Sequence, residues 1–152
     1  MTRIFVYGTL RKGIYNHDIY LRDHGVYCGD GYIRGSLFTI TGKKYPAFLN
    51  AGQDLIFGEI YDVDDETLHN INELESYYGQ NHVENEYNQI FLDVYDVNGQ
   101  KIDQAYVYEF NMDKPENVDA LGEDILEHDY VQYIQKQKLN DQSLFDDDLM
   151  VF

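Results

Sequence analysis

The stretch that decides the fold lies near the amino terminus and reads Ile4-Phe5-Val6-Tyr7-Gly8-Thr9-Leu10. Its first four residues form a short apolar run that ends at Gly8, a pattern typical of a buried strand. The residues that follow Gly8 make a basic, turn-rich loop that extends to Gly13. The sequence therefore predicts a buried first strand that leads into a loop.

Further strands are predicted wherever apolar residues alternate between turn signals. Beyond the first strand they cover residues 33–40, 55–63, 87–95 and 102–110. Asn98-Gly99 is a two-residue hairpin signal that joins the last two of these strands. Gly35 is expected to bend or bulge its own strand, because glycine inside a strand often has that role.

Helices are fewer, and they are indicated by start signals or by apolar residues at helical spacing. One short helix is predicted at residues 16–22, a second begins at the acidic group 64–67, and Pro115 begins a third. Residues 121–138 are also predicted to be helical, in one or two pieces. Short strands with few helices indicate an α+β fold, a small mixed β-barrel-like sheet with flanking helices.

The length of 152 residues is usual for one domain. We assign residues 1–138 to that domain and residues 139–152 to an acidic C-terminal tail. The tail contains Asp146-Asp147-Asp148, followed by Leu149-Met150-Val151-Phe152. Either the tail is disordered, or its apolar end packs on the domain or on a neighbouring molecule.

The chain carries a formal net charge of −17, which disfavours nucleic acid and anionic membranes as partners. Residues 1–50 hold seven Lys or Arg against three acids, so a small anionic ligand is expected to prefer this part. Cys28 is the only cysteine, which excludes an intrachain disulfide and fits a reducing compartment. The first apolar run is too short for a signal peptide or membrane span, so we expect a cytoplasmic protein; its oligomeric state stays open.

Glu75 lies inside the apolar stripe of the second predicted helix. At about 100° per residue, Leu68, Ile71, Leu74 and Tyr78 fall in one arc, and Glu75 is within about 20° of Leu68. A carboxylate that faces a core must be paired or hydrogen-bonded, or its pKa rises towards neutrality. A pKa near neutrality is what a general acid and base needs. The alternative is that Glu75 bends out to water or pairs with an arginine.

Several motifs occur in a fixed order along residues 3–134. They are Tyr7-Gly8-Thr9-Leu10 with Gly13 and Asn16-His17, Tyr45-Pro46-Ala47, Phe57-Gly58-Glu59-Ile60-Tyr61, Ile71-Asn72-Glu73-Leu74-Glu75 and Ala105-Tyr106-Val107-Tyr108. This ordered set resembles the gamma-glutamylcyclotransferase-like family, in its gamma-glutamylamine cyclotransferase or avirulence-induced-gene-2-like branch. The resemblance implies a small β-barrel-like α+β domain with a pocket at one mouth.

The resemblance also implies a reaction that needs no metal or organic cofactor, and the five histidines show no metal-ligand spacing. The α-amine of a gamma-glutamyl small molecule attacks its own γ-carbonyl, which releases 5-oxoproline and a free amine. Glu75 is the implied catalytic acid and base. The implied substrate-binding residues are Tyr7, Gly8, Thr9, Leu10, Asn16 and Tyr108. Backbone N–H groups of the loop would hold the α-carboxylate or the oxyanion, and Asn16 would line the pocket or hold the loop.

One departure from the family pattern concerns Gln89, which stands where Tyr-x-Arg is usual. Arg22 or Arg34 could replace the missing arginine in space. Arg11 and Lys12 either attract a carboxylate or belong to a solvated loop. Two other functions stay open: a binding module that holds an amine or amino-acid derivative without turnover, and an interaction protein that recruits a partner through its tail. The amine part of the substrate is also open.

Overall fold

A computed structural model describes residues 1–140. This part of the chain contains six strands: β1 (Thr2–Val6), β2 (Gly25–Ile40), β3 (Ala47–Val63), β4 (Tyr87–Tyr95), β5 (Lys101–Phe110) and β6 (Leu121–Asp124). It also contains four helices: α1 (Tyr15–Tyr20), α2 (Asp65–Leu74), α3 (Pro115–Ala120) and α4 (Tyr130–Asn140). The predicted tail begins inside α4, and its residues 141–152 lie outside the described residues.

The six strands form one sheet in the order β3-β1-β5-β4-β2-β6, and a further pairing of β2 with β3 brings the sheet back on itself. Strand β1 runs parallel to β5, whereas the other pairs are antiparallel. The β1–β5 and β2–β4 seams are short, and each has a single registered pair. The predicted α+β fold is confirmed, with a curled mixed sheet that is not a clean barrel.

Strands β2 and β3 form a long antiparallel hairpin, and each begins eight residues earlier than the sequence predicted. Glycines within these strands therefore do not end them. At Gly35 the register shifts before Ser36, so the predicted bulge is confirmed. A Cβ atom at Gly35 would lie 2.4 Å from the carbonyl oxygen of Leu49, which explains why a glycine occupies this position.

Helix α2 begins and ends on local signals in the sequence. The side chain of Asp64 accepts a hydrogen bond from the backbone N–H of Thr67 at 2.8 Å and caps the first turn. The chain leaves the helical path at Ser76, whose φ is +50°. Tyr78 therefore lies beyond the helix and is 60% exposed, so its predicted place in the apolar stripe is wrong.

The helix predicted over residues 121–138 is wrong in its first part. Leu121–Asp124 forms strand β6, which pairs with the end of β2. Helix α4 starts only at Tyr130, where the side chain of Asp129 accepts a hydrogen bond from the backbone N–H of Val131 at 3.0 Å. The free edge of β2 thus outweighs the local helix preference of this segment.

Strand β1 is buried on both faces, as its apolar run predicted. Ile4 and Val6 pack into one apolar cluster together with Ile71 of α2. Phe5 and Tyr7 pack into a second cluster on the other side, because side chains alternate along a strand. Within the described residues, no helix is long and apolar enough to span a membrane. The carboxyl end of β1 leads directly into a loop that lines a cavity.

Candidate active site

A cavity of about 320 Å³ lies where the end of β1, the end of α2 and the start of β4 meet. Its lining includes all seven residues that the sequence assigned to the site: Tyr7, Gly8, Thr9, Leu10, Asn16, Glu75 and Tyr108. These residues come from segments more than 100 positions apart in the chain, so only the folded sheet brings them together. Their individual roles stay predictions.

The loop at residues 8–10 uses its carbonyl groups to hold its own shape. The carbonyl oxygen of Gly8 accepts from the backbone N–H of Arg11 at 3.1 Å, and that of Thr9 accepts from the N–H of Asn16 at 3.2 Å. The side-chain amide of Asn16 also donates to the Thr9 hydroxyl at 2.8 Å, which gives Asn16 a loop-holding contact at the cavity wall.

The N–H groups of the same loop have no such partners. Within residues 1–140, the backbone N–H groups of Gly8, Thr9 and Leu10 donate to no protein acceptor, although all three residues are buried. Buried N–H groups in proteins are nearly always paired with protein, water or a ligand. Their place in the cavity wall makes them suitable donors to a carboxylate or to a developing oxyanion.

Gly8 packs closely against the ring of Pro46. A Cβ atom at Gly8 would lie 2.9 Å from both Cγ and Cδ of Pro46, so any side chain there would displace one of the two segments. Glycine is therefore required by the close approach of the loop backbone to the Pro46 ring at the cavity wall.

Glu75 caps the carboxyl end of α2, and its backbone N–H donates to the Ile71 carbonyl oxygen at 2.9 Å. Its side chain is half-buried and lines the cavity. Within the described residues, no side chain donates a hydrogen bond to its carboxylate. Burial, together with repulsion from the nearby Glu86 carboxylate, raises the pKa of Glu75 from 4.5 to about 8.

Five tyrosine rings form much of the wall around Glu75: Tyr7, Tyr15, Tyr45, Tyr87 and Tyr108. Within residues 1–140, their hydroxyl groups donate to acceptors other than Glu75. For example, Tyr7 donates to the carbonyl oxygen of Tyr108 at 2.6 Å, and Tyr87 donates to that of Pro46 at 2.7 Å. Burial raises the pKa of Tyr7 well above its ordinary value, and the negative charge of Glu75 adds to this effect. The tyrosines therefore stay neutral and supply walls rather than acid–base groups.

Four further residues of the lining were not predicted from the sequence: Glu86, Tyr15, Tyr45 and Tyr87. Tyr45 belongs to the Tyr45-Pro46-Ala47 motif, and Tyr87 begins the Tyr-x-Gln segment that ends at Gln89, so these motifs could have indicated both tyrosines. Glu86 lies in a loop between α2 and β4, and nothing in the pattern of that loop marks it. Its position in the cavity follows only from the tertiary structure.

The arginines near the predicted site have structural partners. Arg11 is 5% exposed and forms ion pairs with Glu59 at 3.2 Å and Asp129 at 2.6 Å, so its predicted place in a solvated loop is wrong. This buried network joins the loop after β1 to the start of α4.

Neither arginine proposed as a substitute at position 89 reaches the cavity lining. Arg22 is exposed and lies 3.9 Å from Asp18, whereas Arg34 packs over the ring of Tyr95. Gln89 itself lies one layer behind the wall, where its amide donates to the Tyr108 hydroxyl at 3.4 Å. Within residues 1–140, no group of three or more His, Cys, Asp or Glu is placed to hold a metal ion.

The fold is a curled mixed sheet with flanking helices, and its first loop lines the same cavity as a glutamate whose pKa is raised by burial. This combination defines a domain of the cyclotransferase-like class. The chain belongs to the family described as gamma-glutamyl cyclotransferase, AIG2-like, whose model matches residues 4–132. Among curated relatives, it is 40% identical over 108 residues to a Gamma-L-glutamyl-butirosin B gamma-glutamyl cyclotransferase of Niallia circulans, covering 71% of this chain and 67% of the relative.

Solved structures agree with this assignment. An uncharacterised protein of Pyrococcus horikoshii matches with a TM-score of 0.63 and 26% identity, covering 90% of this chain and 96% of the other. An AIG2-like protein of Mus musculus matches with a TM-score of 0.61 and 27% identity, covering 78% of this chain and 82% of the other. The expected family and fold are thereby confirmed.

Proposed function

We propose that this protein is a cofactor-free gamma-glutamyl cyclotransferase, with Glu75 as its general acid and base. The observation that carries the proposal is the Glu75 carboxyl group, which lines a cavity, accepts no side-chain hydrogen bond within residues 1–140 and has a pKa of about 8. A group with this pKa can both accept and return a proton near neutral pH. Family membership supplies the class of reaction.

The reaction begins with a proton transfer, because the α-ammonium group of the substrate cannot attack until it loses a proton. The ionised Glu75 carboxylate accepts that proton, and the positive charge of the bound ammonium favours the ionised form. The amine nitrogen then bonds to the γ-carbonyl carbon and gives a tetrahedral oxyanion. Glu75 returns the proton to the leaving nitrogen, and the original C–N bond breaks. The ring nitrogen gives up its second proton to the departing amine, so 5-oxoproline and an ammonium ion are released.

The cavity favours this ring closure in two ways. Attack within one molecule needs mainly a folded substrate conformation, which close walls such as Tyr7 and Tyr108 can impose. The loop N–H groups at residues 8–10 are placed to bind the α-carboxylate or the oxyanion. A volume of about 320 Å³ suits a small molecule.

The test is release of 5-oxoproline from a panel of gamma-glutamyl amines and amino acids, with Glu75→Gln as the variant. We expect release by the native protein and a loss of at least about a hundredfold in the variant. Glu73→Gln is the matched control, because Glu73 is exposed on the same helix and pairs with His69 at 3.0 Å. Equal activity in native protein and Glu75→Gln would contradict the assignment of Glu75.

A binding module is the second candidate, and the replacement of the family arginine by Gln89 is the observation that favours it. In that case the panel would raise the melting temperature without any release of 5-oxoproline. For location, we propose the cytoplasm, because Cys28 is exposed and free and such a thiol suits a reducing compartment.

A further inference from the structure

We propose that Glu86 makes the site selective for gamma-glutamyl substrates whose leaving amine carries a second, positively charged group, such as a diamine. The inference rests on the proposed function, because it concerns the part of the substrate that leaves when Glu75 acts. The leaving group in this proposal is a cationic amine, and Glu86 is the residue that recognises it.

The charge of the cavity points to a cation. Its lining contains two carboxylates, Glu75 and Glu86, and no Lys or Arg among the described residues. Proton transfer requires only one of these carboxylates. A second carboxylate in a partly desolvated cavity disfavours anionic ligands and attracts a cation that can bind to it.

Glu86 is also held in a fixed position. One oxygen of its carboxylate, Oε1, accepts a hydrogen bond from the Tyr45 hydroxyl at 2.8 Å. Its backbone N–H donates to the carbonyl oxygen of Ser76 at 3.1 Å, and its own carbonyl oxygen accepts from the N–H of Asn111 at 3.0 Å. A recognition group that is held on both main chain and side chain loses little freedom when a ligand binds.

The other oxygen of this carboxylate is available to a ligand. Within residues 1–140, no donor contacts Oε2 of Glu86. The anionic end of a gamma-glutamyl substrate is expected at the loop N–H groups of residues 8–10, which leaves the leaving chain to occupy the rest of the cavity. An ammonium group on that chain can donate to Oε2, whereas a carboxylate there is repelled.

Three gamma-glutamyl amides of matched length test the proposal: those of cadaverine, hexylamine and ε-aminocaproate. They end in an ammonium, a methyl and a carboxylate group respectively. For the native protein we expect kcat/KM to fall in that order. In Glu86→Gln, the ratio of kcat/KM for the ammonium to the methyl compound should fall on the order of tenfold, the usual loss when a hydrogen bond to a charged group is removed.

The ratio is informative because both compounds react through the same Glu75, so a change in the acidity of Glu75 cancels. Glu84→Gln is the matched control, because Glu84 has the same charge, lies in the same loop and is exposed outside the cavity lining. We expect the ratio to be unchanged in Glu84→Gln at physiological ionic strength.

Four results would overturn the proposal. An equal fall of the ratio in Glu84→Gln would show that the preference arises from the overall negative charge of the protein and not from Glu86. An equal loss on all three compounds in Glu86→Gln would assign Glu86 to the α-amine that they share. Turnover of the three compounds at similar rates by the native protein would overturn the selectivity but leave the cyclotransferase function intact. No turnover of any of them would also overturn the selectivity, and 5-oxoproline release from the wider panel would then decide the cyclotransferase function separately.

Discussion

The side-chain amide of Gln89 donates to Oδ1 of Asn72 at 3.3 Å, and the Tyr108 hydroxyl donates to the same oxygen. Gln89 stands where the resemblance to the family leads us to expect an arginine, and Asn72 is its neighbour on helix α2. Asn72 and Gln89 therefore form a neutral hydrogen-bonded pair behind the cavity wall.

This relationship predicts that changes at the two positions are coupled. Asn72→Asp alone and Gln89→Arg alone should each lower the free energy of unfolding by about 1–2 kcal/mol, because each introduces an unpaired, partly buried charge. The double variant should recover at least half of the summed loss, a coupling of about 1–3 kcal/mol. Urea unfolding of the four proteins measures the coupling, and strictly additive losses would show that the two sites are independent.

The raised pKa of Glu75 predicts the pH dependence of activity. A carboxyl group accepts a proton only when it is ionised, so the rate should rise with pH up to the pKa of about 8 and then level off. Below that value kcat/KM should fall about tenfold per pH unit. Because Glu86 contributes to the raised pKa, Glu86→Gln should move the midpoint of this limb to lower pH. A midpoint near 4.5 in the native protein would be incompatible with Glu75 as the base.

Gly8→Ala tests the close approach at the cavity wall. The added methyl group would lie 2.9 Å from two ring carbons of Pro46, so the loop must shift. We expect kcat/KM to fall at least about tenfold, with a loss of about 1–3 kcal/mol in stability from overpacking. Pro46→Ala in the same protein removes the opposing ring and should restore part of both, as measured by kinetics and by urea unfolding. If Pro46→Ala restores neither kcat/KM nor stability, contact with the Pro46 ring is not the cause of the losses.

Arg11→Met tests the buried ion network. The substitution leaves Glu59 and Asp129 without their common cation, so we expect a loss of about 3–5 kcal/mol, detectable as a fall in melting temperature. Arg22→Met is the control, because Arg22 and Asp18 are both about two-thirds exposed at 3.9 Å and their pair should contribute less than about 1 kcal/mol. Similar effects of the two substitutions would mean that the buried network is not stabilising.

Local patterns were enough to predict the elements that carry their own signals. The apolar run before Gly8 and the start of α2 are set by nearby residues, and the structure confirms them. The hairpin predicted at Asn98-Gly99 also forms, but residues 96–100 join its strands in place of a two-residue turn. Position within the apolar arc also predicted that Glu75 faces inward, even though the helix ends one residue earlier.

Features that depend on distant partners were not predictable. Leu121–Asp124 became a strand because an edge of β2 was free, and Arg11 became buried because two acids from β3 and the start of α4 converge on it. Glu86 enters the cavity through a loop whose path is fixed by contacts with Ser76 and Asn111. Neither hydrophobic periodicity nor a local motif predicts such contacts, because they arise from tertiary packing.

The parallel pairing of β1 with β5 has a consequence for synthesis of the protein. Tyr7 and Tyr108 share a hydrogen bond although 101 positions separate them, so one wall of the cavity is made early and the other late. A nascent chain that stops before Lys101–Phe110 has the complete loop and Glu75 but lacks the strand that closes the cavity between them. Such non-local contacts form slowly, and we expect amino-terminal fragments that end before β5 to be inactive.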